Sequence, residues 1–178
     1  MINFKKGPAL SLHQVNYVAA PGNNVTGIEA GHVVRINADG KVYKGAPDLT
    51  TGQWNADDIY GFAINNQSAG DVIESGKIGV YALDGASVIE TDKFTGSASL
   101  YVPGKYVGAN TDGTIMIINA AGGIVDTDTT NTLSTIDTPK IIGQVVEASR
   151  TLPGKVTATV NGVQYQTDAT VVCIKLAI

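Results

Sequence analysis

The sequence has few of the residues from which catalytic and metal sites are usually built. It contains one cysteine and two histidines among 178 residues, and only 16% of its residues are charged. Cys173 cannot form an intramolecular disulfide, and we expect it to be buried as a small hydrophobic residue. His13 and His32 show no spacing typical of a zinc site. These shortages argue against a disulfide scaffold and against a metalloenzyme.

Clustered positive charge and long hydrophobic runs are also missing. The formal net charge is −4, and the only doublet of basic residues is Lys5-Lys6, whereas binding to a phosphate backbone needs clustered lysine and arginine. The first residues lack the apolar run of about seven residues that a signal peptide requires, and no later stretch approaches the roughly eighteen that span a bilayer. We therefore expect neither a nucleic acid nor a membrane as a partner.

The residues that are abundant are those of strands and tight turns. There are 21 glycines, with many valine, isoleucine, threonine, asparagine and aspartate residues. Branched side chains lose rotamer freedom in a helix, and they pack well on a pleated sheet. The composition therefore predicts an all-β protein, and we expect an antiparallel β-barrel or β-tulip-like fold.

Four turn signals divide the chain. An Asp-Gly or Asn-Gly dipeptide between two apolar or alternating runs is typical of a β-hairpin, because the two-residue turn needs positive φ at both central residues. These dipeptides are Asp39-Gly40, Asp84-Gly85, Asp112-Gly113 and Asn161-Gly162. The flanking runs predict strands at residues 33–36, 77–83, 105–107, 155–160 and 163–167.

Five further strands are predicted, at residues 59–64, 87–90, 114–118, 141–147 and 170–176. Only residues 91–97 and 131–137 could hold a helical turn, and both segments are short.

Two parts of the sequence echo each other. Ala30-Gly31-His32-Val33-Val34 precedes the first turn much as Pro103-Gly104-Lys105-Tyr106-Val107 precedes the third. The segment around Gly61 similarly resembles the segment around Gly143. The echo indicates either an old duplication with altered loops or the ordinary reuse of turn chemistry by β-proteins.

The first 27 residues differ from the rest. They show little alternation, and Pro8 and Pro21 interrupt them, yet they are too apolar for a solvated tail. We therefore predict an extended N-terminal arm over residues 1–27 and a barrel-like body over residues 28–178, with two lobes at 28–97 and 98–178.

One segment suggests catalysis. Residues 124–130 resemble the Asp-x-Asp-x-Thr signature of haloacid-dehalogenase-type phosphatases, in which Asp126 would be the nucleophile, Asp128 the general acid and Mg²⁺ the cofactor. That family needs a parallel sheet and a long downstream region, and only about fifty β-like residues follow here. The same aspartates with Asp137 could instead hold Ca²⁺. A polar loop is the simpler interpretation, and we expect no catalytic residue, no metal and no cofactor.

The only tryptophan, Trp54, lies in a polar loop. Exposed loop aromatics often anchor partners or sugars, although Trp54 could equally cover one end of the barrel.

From Gly27 onward, the chain resembles the head-decoration, or cement, proteins of tailed bacteriophages. The resemblance is carried by an arm followed by apolar-Gly-apolar steps between hairpins, at residues 27–34, 58–63, 76–90, 103–107 and 141–146. It implies a non-enzymatic homotrimer on the outside of the virion capsid, made in the host cytoplasm, which binds the major capsid protein.

The resemblance also implies where such a partner would be bound. The arm of these proteins commonly adds a strand to a neighbouring subunit. Carried over to this chain, the candidate partner-binding residues are Asn3, Phe4, Lys5, Lys6, Leu10, Leu12 and Val15. The alternative is a tail-tube, fibre or receptor-binding module that places Trp54 against carbohydrate.

Overall fold

Eleven β-strands and one 3-10 turn make up the described part of the chain. The computed structural model of the protein describes residues 2–6, 15–19, 27–36, 40–46, 59–64, 77–118, 141–160 and 163–177. The strands are β1 (Ile2–Lys6), β2 (Val15–Ala19), β3 (Val33–Ile36), β4 (Lys41–Lys44), β5 (Ile59–Ala63), β6 (Lys77–Ala82), β7 (Val88–Thr91), β8 (Tyr106–Ala109), β9 (Ile115–Ile118), β10 (Ile141–Val160) and β11 (Val163–Leu176). No α-helix occurs in these residues, which confirms the all-β prediction.

Strands β2 to β6 form a small closed barrel in the order β2-β4-β3-β5-β6. All neighbours are antiparallel except β2 and β4, which run parallel and close the barrel through Val18 and Ala19. Alternate residues of its strands point inward. These inward-facing residues are apolar and form the interior of the barrel. Its buried residues are Ile28, Val34, Ile36, Val42, Ala63, Ile78 and Val80.

The remaining strands form a six-stranded sheet in the order β1-β7-β11-β10-β8-β9. All its neighbours are antiparallel. A parallel bridge between Phe94, just beyond β7, and Ile115 of β9 links the two sides of the sheet. The amide of Ile115 donates to Lys93 O, and the amide of Thr95 donates to Ile115 O, both at 2.9 Å.

The two sheets repeat one topology. In the first unit (β2–β6), the first strand pairs antiparallel with the last and parallel with the third. In the second unit (β7–β11), β7 pairs antiparallel with β11, and Phe94 bridges in parallel to β9. The pairs β3–β4, β3–β5 and β5–β6 correspond to β8–β9, β8–β10 and β10–β11.

Single hydrogen bonds repeat as well. Gly31 N donates to Ala63 O at 2.8 Å, and Gly104 N donates to Val145 O at 2.9 Å. The return bonds, Ala63 N to His32 O at 2.9 Å and Val145 N to Lys105 O at 2.8 Å, correspond in the same way. Val34 pairs with Gly61 as Val107 pairs with Gly143. The segments that echo each other in sequence therefore occupy equivalent positions, which favours the duplication over the reuse of turn chemistry.

The two units are joined where a turn of the second enters a slot in the first. Val33 N donates to Gly113 O at 2.7 Å, and Ala46 N donates to Asn110 O at 2.9 Å. The slot exists because Gly45 has no side chain, since a Cβ there would overlap the carbonyl oxygens of Asn110 and Thr111. A shared core extends across this joint, with Tyr60 and Phe62 from the first unit packed in one cluster with Ile89, Ile142 and Ile174 from the second.

Three of the four predicted hairpins are present, since β3–β4, β8–β9 and β10–β11 pair across the predicted turns. The prediction at Asp84-Gly85 was wrong, because β6 and β7 belong to different sheets. The Asp84 carboxylate accepts hydrogen bonds from the amides of Ala86 and Ser87, and the turn is therefore a corner between the units.

The helical turn predicted at residues 91–97 was also misplaced. The 3-10 turn lies at Ala98–Leu100, with Ser97 as its N-cap, and residues 131–137 lie outside the described residues. Cys173 is 2% exposed, as expected for a buried hydrophobic residue.

Candidate functional site

The N-terminal segment predicted as an arm is built into both sheets where the structure describes it. Asn3, Phe4, Lys5 and Lys6 belong to β1, which pairs with β7 of the second unit. Val15 belongs to β2, which pairs with β6 of the first unit. Strand pairing crosses both predicted boundaries. β1 of the predicted arm pairs with β7, which crosses the boundary at 27/28, and β7 pairs with β11, which crosses the boundary at 97/98. Leu10, Leu12 and Trp54 lie outside the described residues.

Lys5 connects the N-terminal strand to a charged cluster on the second unit. Its ammonium group pairs with the carboxylate of Glu147 on β10 and lies 3.7 Å from Glu90 on β7. The hydrogen bond raises the pKa of Lys5 and lowers the pKa of Glu147. Both side chains are substantially exposed, so solvent screens this pair.

Glu90 is the buried member of the cluster, at 4% exposure. Arg150 Nε donates to Glu90 Oε1 at 3.0 Å, and Nη2 of the same guanidinium donates to that oxygen too. This hydrogen bond raises the pKa of Arg150. The buried Cys173 lies opposite Glu90 in the ladder, and its burial raises the pKa of its thiol. The thiol is therefore neutral and unreactive, and the cluster offers no nucleophile. Its ion pairs hold β1, β7 and β10 together.

A long two-stranded ribbon extends from this cluster. Strands β10 and β11 pair from Gly143–Leu176 to Val160–Val163. The neighbouring strands cover only the base, because β8 reaches Gln144 and β7 reaches Val172. Residues 151–160 and 163–170 thus form a ribbon that pairs with no other strand of the described chain, and at about 3.3 Å per residue it projects roughly 30 Å. Sequence reasoning predicted its hairpin but placed two short strands on each side of the turn.

His32 lies at the joint between the units. It is 7% exposed, its Nδ1 accepts the amide of Glu29 at 2.9 Å, and it packs against Gly113. Burial, with the nearby Lys44 and Lys93 cations, lowers its pKa from 6.5 to about 4. His32 is therefore a neutral, hydrogen-bonded structural residue near pH 7.

A shallow depression of about 290 Å³ lies at the end of the second unit. Its lining includes Tyr106, Gln144 and Lys175, and Gln144 donates from its side chain to Gly104 O at 3.1 Å. No carboxylate or cysteine lines this depression.

Within the described residues, no group of three or more His, Cys, Asp or Glu side chains is placed to hold a metal ion. Asp126, Asp128, Asp137 and His13 lie in segments that the structure does not describe. The described part of the chain also has no helix long and apolar enough to cross a membrane.

Comparison with known proteins identified no matching family model, no similar curated protein and no similar solved structure.

Proposed function

We propose that this protein is a non-enzymatic structural component of a bacteriophage virion that decorates the outside of the capsid by binding the major capsid protein. The proposal starts from the sequence resemblance to head-decoration proteins. The observation that carries it furthest is the position of the glycine steps on which that resemblance depends. Gly31 of the first unit and Gly104 of the second occupy equivalent positions, and so do Gly61 and Gly143.

Such a body suits a cement protein because the role needs a rigid surface and no deep pocket. Residues of both units share one core, and a hydrogen-bonded turn joins the units, so they present their outer surfaces in a fixed relation. Contacts of modest affinity, repeated over a symmetric shell, give tight binding through avidity.

The N-terminal segment remains our candidate for the capsid contact, in a modified form. β1 and β2 are strands of the fold, so removing residues 1–27 would remove structure from both sheets. Leu10 and Leu12 lie between these strands in the sequence, and they can be changed without deleting either strand. We assign the capsid contact to this connecting segment.

The test is co-sedimentation with expanded phage capsids that lack decoration. We expect saturable binding at a fixed ratio to capsid subunits, and a loss of at least about tenfold in affinity in the Leu10→Asp/Leu12→Asp variant. Leu100→Asp is the matched control, because Leu100 is an exposed leucine on the 3-10 turn, at 37% exposure. It should bind like the natural sequence.

Absence of binding by folded protein would overturn the capsid proposal and direct attention to Trp54 and carbohydrate. Equal losses of capsid affinity in the Leu10→Asp/Leu12→Asp variant and in the Leu100→Asp control would overturn the assignment of the capsid contact to Leu10 and Leu12.

A further inference from the structure

The ribbon of residues 151–160 and 163–170 has two different faces. Residues of β11 alternate between the faces, and a residue of β10 shares the face of the residue with which it pairs. One face carries the pairs Val160–Val163, Ala158–Tyr165, Lys155–Thr167 and Leu152–Ala169. The opposite face carries the pairs Thr159–Gln164, Val156–Gln166 and Thr151–Thr170, together with Asp168. The first face is therefore mostly apolar, and we call it the apolar face, whereas the second is mostly polar.

The apolar face lies on a part of the fold that has little support of its own. A two-stranded ribbon alone is only marginally stable in water, and further strands or packing of a hydrophobic face are needed to stabilise it. Among the described strands, β8 pairs with β10 only as far as Gln144, and β7 pairs with β11 only as far as Val172. Packing of the apolar face against a further surface would therefore stabilise the ribbon.

The charges of the ribbon indicate which surface this is. Lys155 on β10 and Asp168 on β11 are its only charged residues. They belong to opposite faces, so they are not a cross-strand pair within one copy. Because Lys155 pairs with Thr167, the two charged residues lie within about one residue, or about 3.3 Å, of the same height along the ribbon. One copy thus has a positive charge on its β10 edge and a negative charge on its β11 edge at one level.

This arrangement favours another copy of the chain, rotated about an axis parallel to the ribbon, as the partner. Such a rotation keeps each residue at its height and brings the β10 edge of one copy beside the β11 edge of the next. Lys155 then meets Asp168 of the neighbouring copy. A two-fold axis perpendicular to the ribbon would place each strand beside its own counterpart and would lose this pairing of opposite charges.

We propose that three copies of this chain assemble through their ribbons, with the apolar faces packed around a three-fold axis and Lys155 of each copy paired with Asp168 of the next. The contact is head-to-tail and closes into a ring. Two ribbons packed face to face, at the usual spacing of about 10 Å, would leave both sides of the apolar layer open to water. Three ribbons meet edge to edge and enclose it. Ala158, Val160 and Val163 are small enough for the narrow space around such an axis.

This assembly gives an interface to the homotrimer that the resemblance implies, but it does not involve the capsid. Its test needs only the purified protein, so its failure is distinct from a failure to bind capsids. Light scattering over a range of concentrations should give a particle of three times 18.4 kDa. Tyr165→Lys places a charge on the apolar face and should weaken the assembly at least about tenfold. Gln166→Lys is the matched control, because it adds the same charge at the next position, on the polar face. It should assemble like the natural sequence.

Exchange of the two charges tests the pairing between copies. Lys155→Glu and Asp168→Lys should each weaken the trimer, because each brings two like charges together at every contact of the ring. The double variant Lys155→Glu/Asp168→Lys restores opposite charges and should recover the trimer. A double variant that is as weak as the single ones would overturn the pairing of Lys155 with Asp168.

A monomer at all concentrations would overturn the proposal, and so would a dimer. Equal weakening by Tyr165→Lys and Gln166→Lys would contradict packing through the apolar face. Hydrogen exchange on the natural sequence keeps the proposal testable if the variants do not fold. Peptides covering residues 155–160 and 163–168 should lose protection together on dilution, and protection independent of concentration would contradict the assembly.

Discussion

Gly61 and Gly143 hold the same position in the two units. A Cβ on Gly143 would lie 2.7 Å from Lys175 O, and a Cβ on Gly61 would collide with Tyr81 O at the corresponding place on the neighbouring strand. Each glycine thus allows its strand to approach the next one closely.

Gly143→Ala should therefore lower the free energy of unfolding by about 1–3 kcal/mol, the usual cost of forcing a methyl group into packed structure. Gly61→Ala should do the same if the units are equivalent. Urea unfolding of both variants measures this, and a cost in only one unit would contradict the equivalence.

Gly45→Ala tests the joint between the units. Gly45 has a φ of +64°, and a Cβ would overlap the carbonyls of Asn110 and Thr111. Gly40→Ala is the matched control, because Gly40 has a φ of +74° with nothing within 4 Å of its added Cβ. The positive φ should lower the free energy of unfolding of both variants by about 1 kcal/mol. Gly45→Ala should lower it by about 1–3 kcal/mol more, because of the overlap with the carbonyls. Thermal or urea unfolding measures the difference. Equal costs would mean that the slot can open.

His32 should make stability depend on pH. Its folded pKa, about 4, lies below its ordinary value of 6.5, so the unfolded chain binds more protons between these values. Stability should be fully present above pH 6.5 and fall as the pH drops toward 4, by up to about 3 kcal/mol at 1.36 kcal/mol per pH unit. Lys44 and Lys93 oppose protonation of the imidazole, and Glu29 and Asp112 favour it.

The measurement is urea unfolding at several pH values between 7 and 5, where few carboxylates titrate. His32→Asn is the control, since an amide oxygen can accept the Glu29 N–H without titrating in this range. The variant should show a flatter profile, and an unchanged slope would assign the pH dependence to other groups.

Arg150→Met should destabilise the protein more than Lys5→Met. Arg150 is the hydrogen-bond partner of the buried Glu90, whereas Lys5 pairs mainly with the half-exposed Glu147. A buried carboxylate that loses its donor stays desolvated and unpaired, but an exposed one is solvated by water. Unfolding of the two variants at low and high ionic strength compares these effects. The reverse order would mean that Lys5 is the main support of Glu90.

Local chemistry was sufficient to predict part of this molecule. Asp112-Gly113 forms the predicted hairpin because positive φ and the Asp side chain favour that turn regardless of context, and Thr114 N donates to the Asp112 carboxylate at 2.8 Å. Asp84-Gly85 has the same chemistry, yet it turns a corner between two sheets, because the partners of β7 are β1 and β11, both far away in sequence. A turn signal therefore predicts that the chain turns, but it does not choose the strand that follows as a partner.

The candidate interaction surface was predictable only in part. The sequence identified Lys5 and Lys6 as candidate contacts, but it gave no sign that Lys5 would reach Glu147 and Glu90. The sequence also did not show that the bulges of the β10–β11 ladder all lie on β10. Pro153, inside an alternating run, was a signal that could have marked β10 as an irregular edge strand.

The amino-acid sequence by itself determined most strands of residues 28–178, three of the four predicted hairpin turns and the segments that echo each other, because these depend on side-chain alternation and on φ preferences within a few residues. Tertiary structure decided the rest. It paired β1 with β7 and β2 with β6, opened the slot at Gly45 and left residues 163–170 of β11 with β10 as their sole partner strand within the described chain. Those outcomes depend on which distant strands satisfy each other's backbone groups and bury a common core, and neighbouring residues carry no record of that choice.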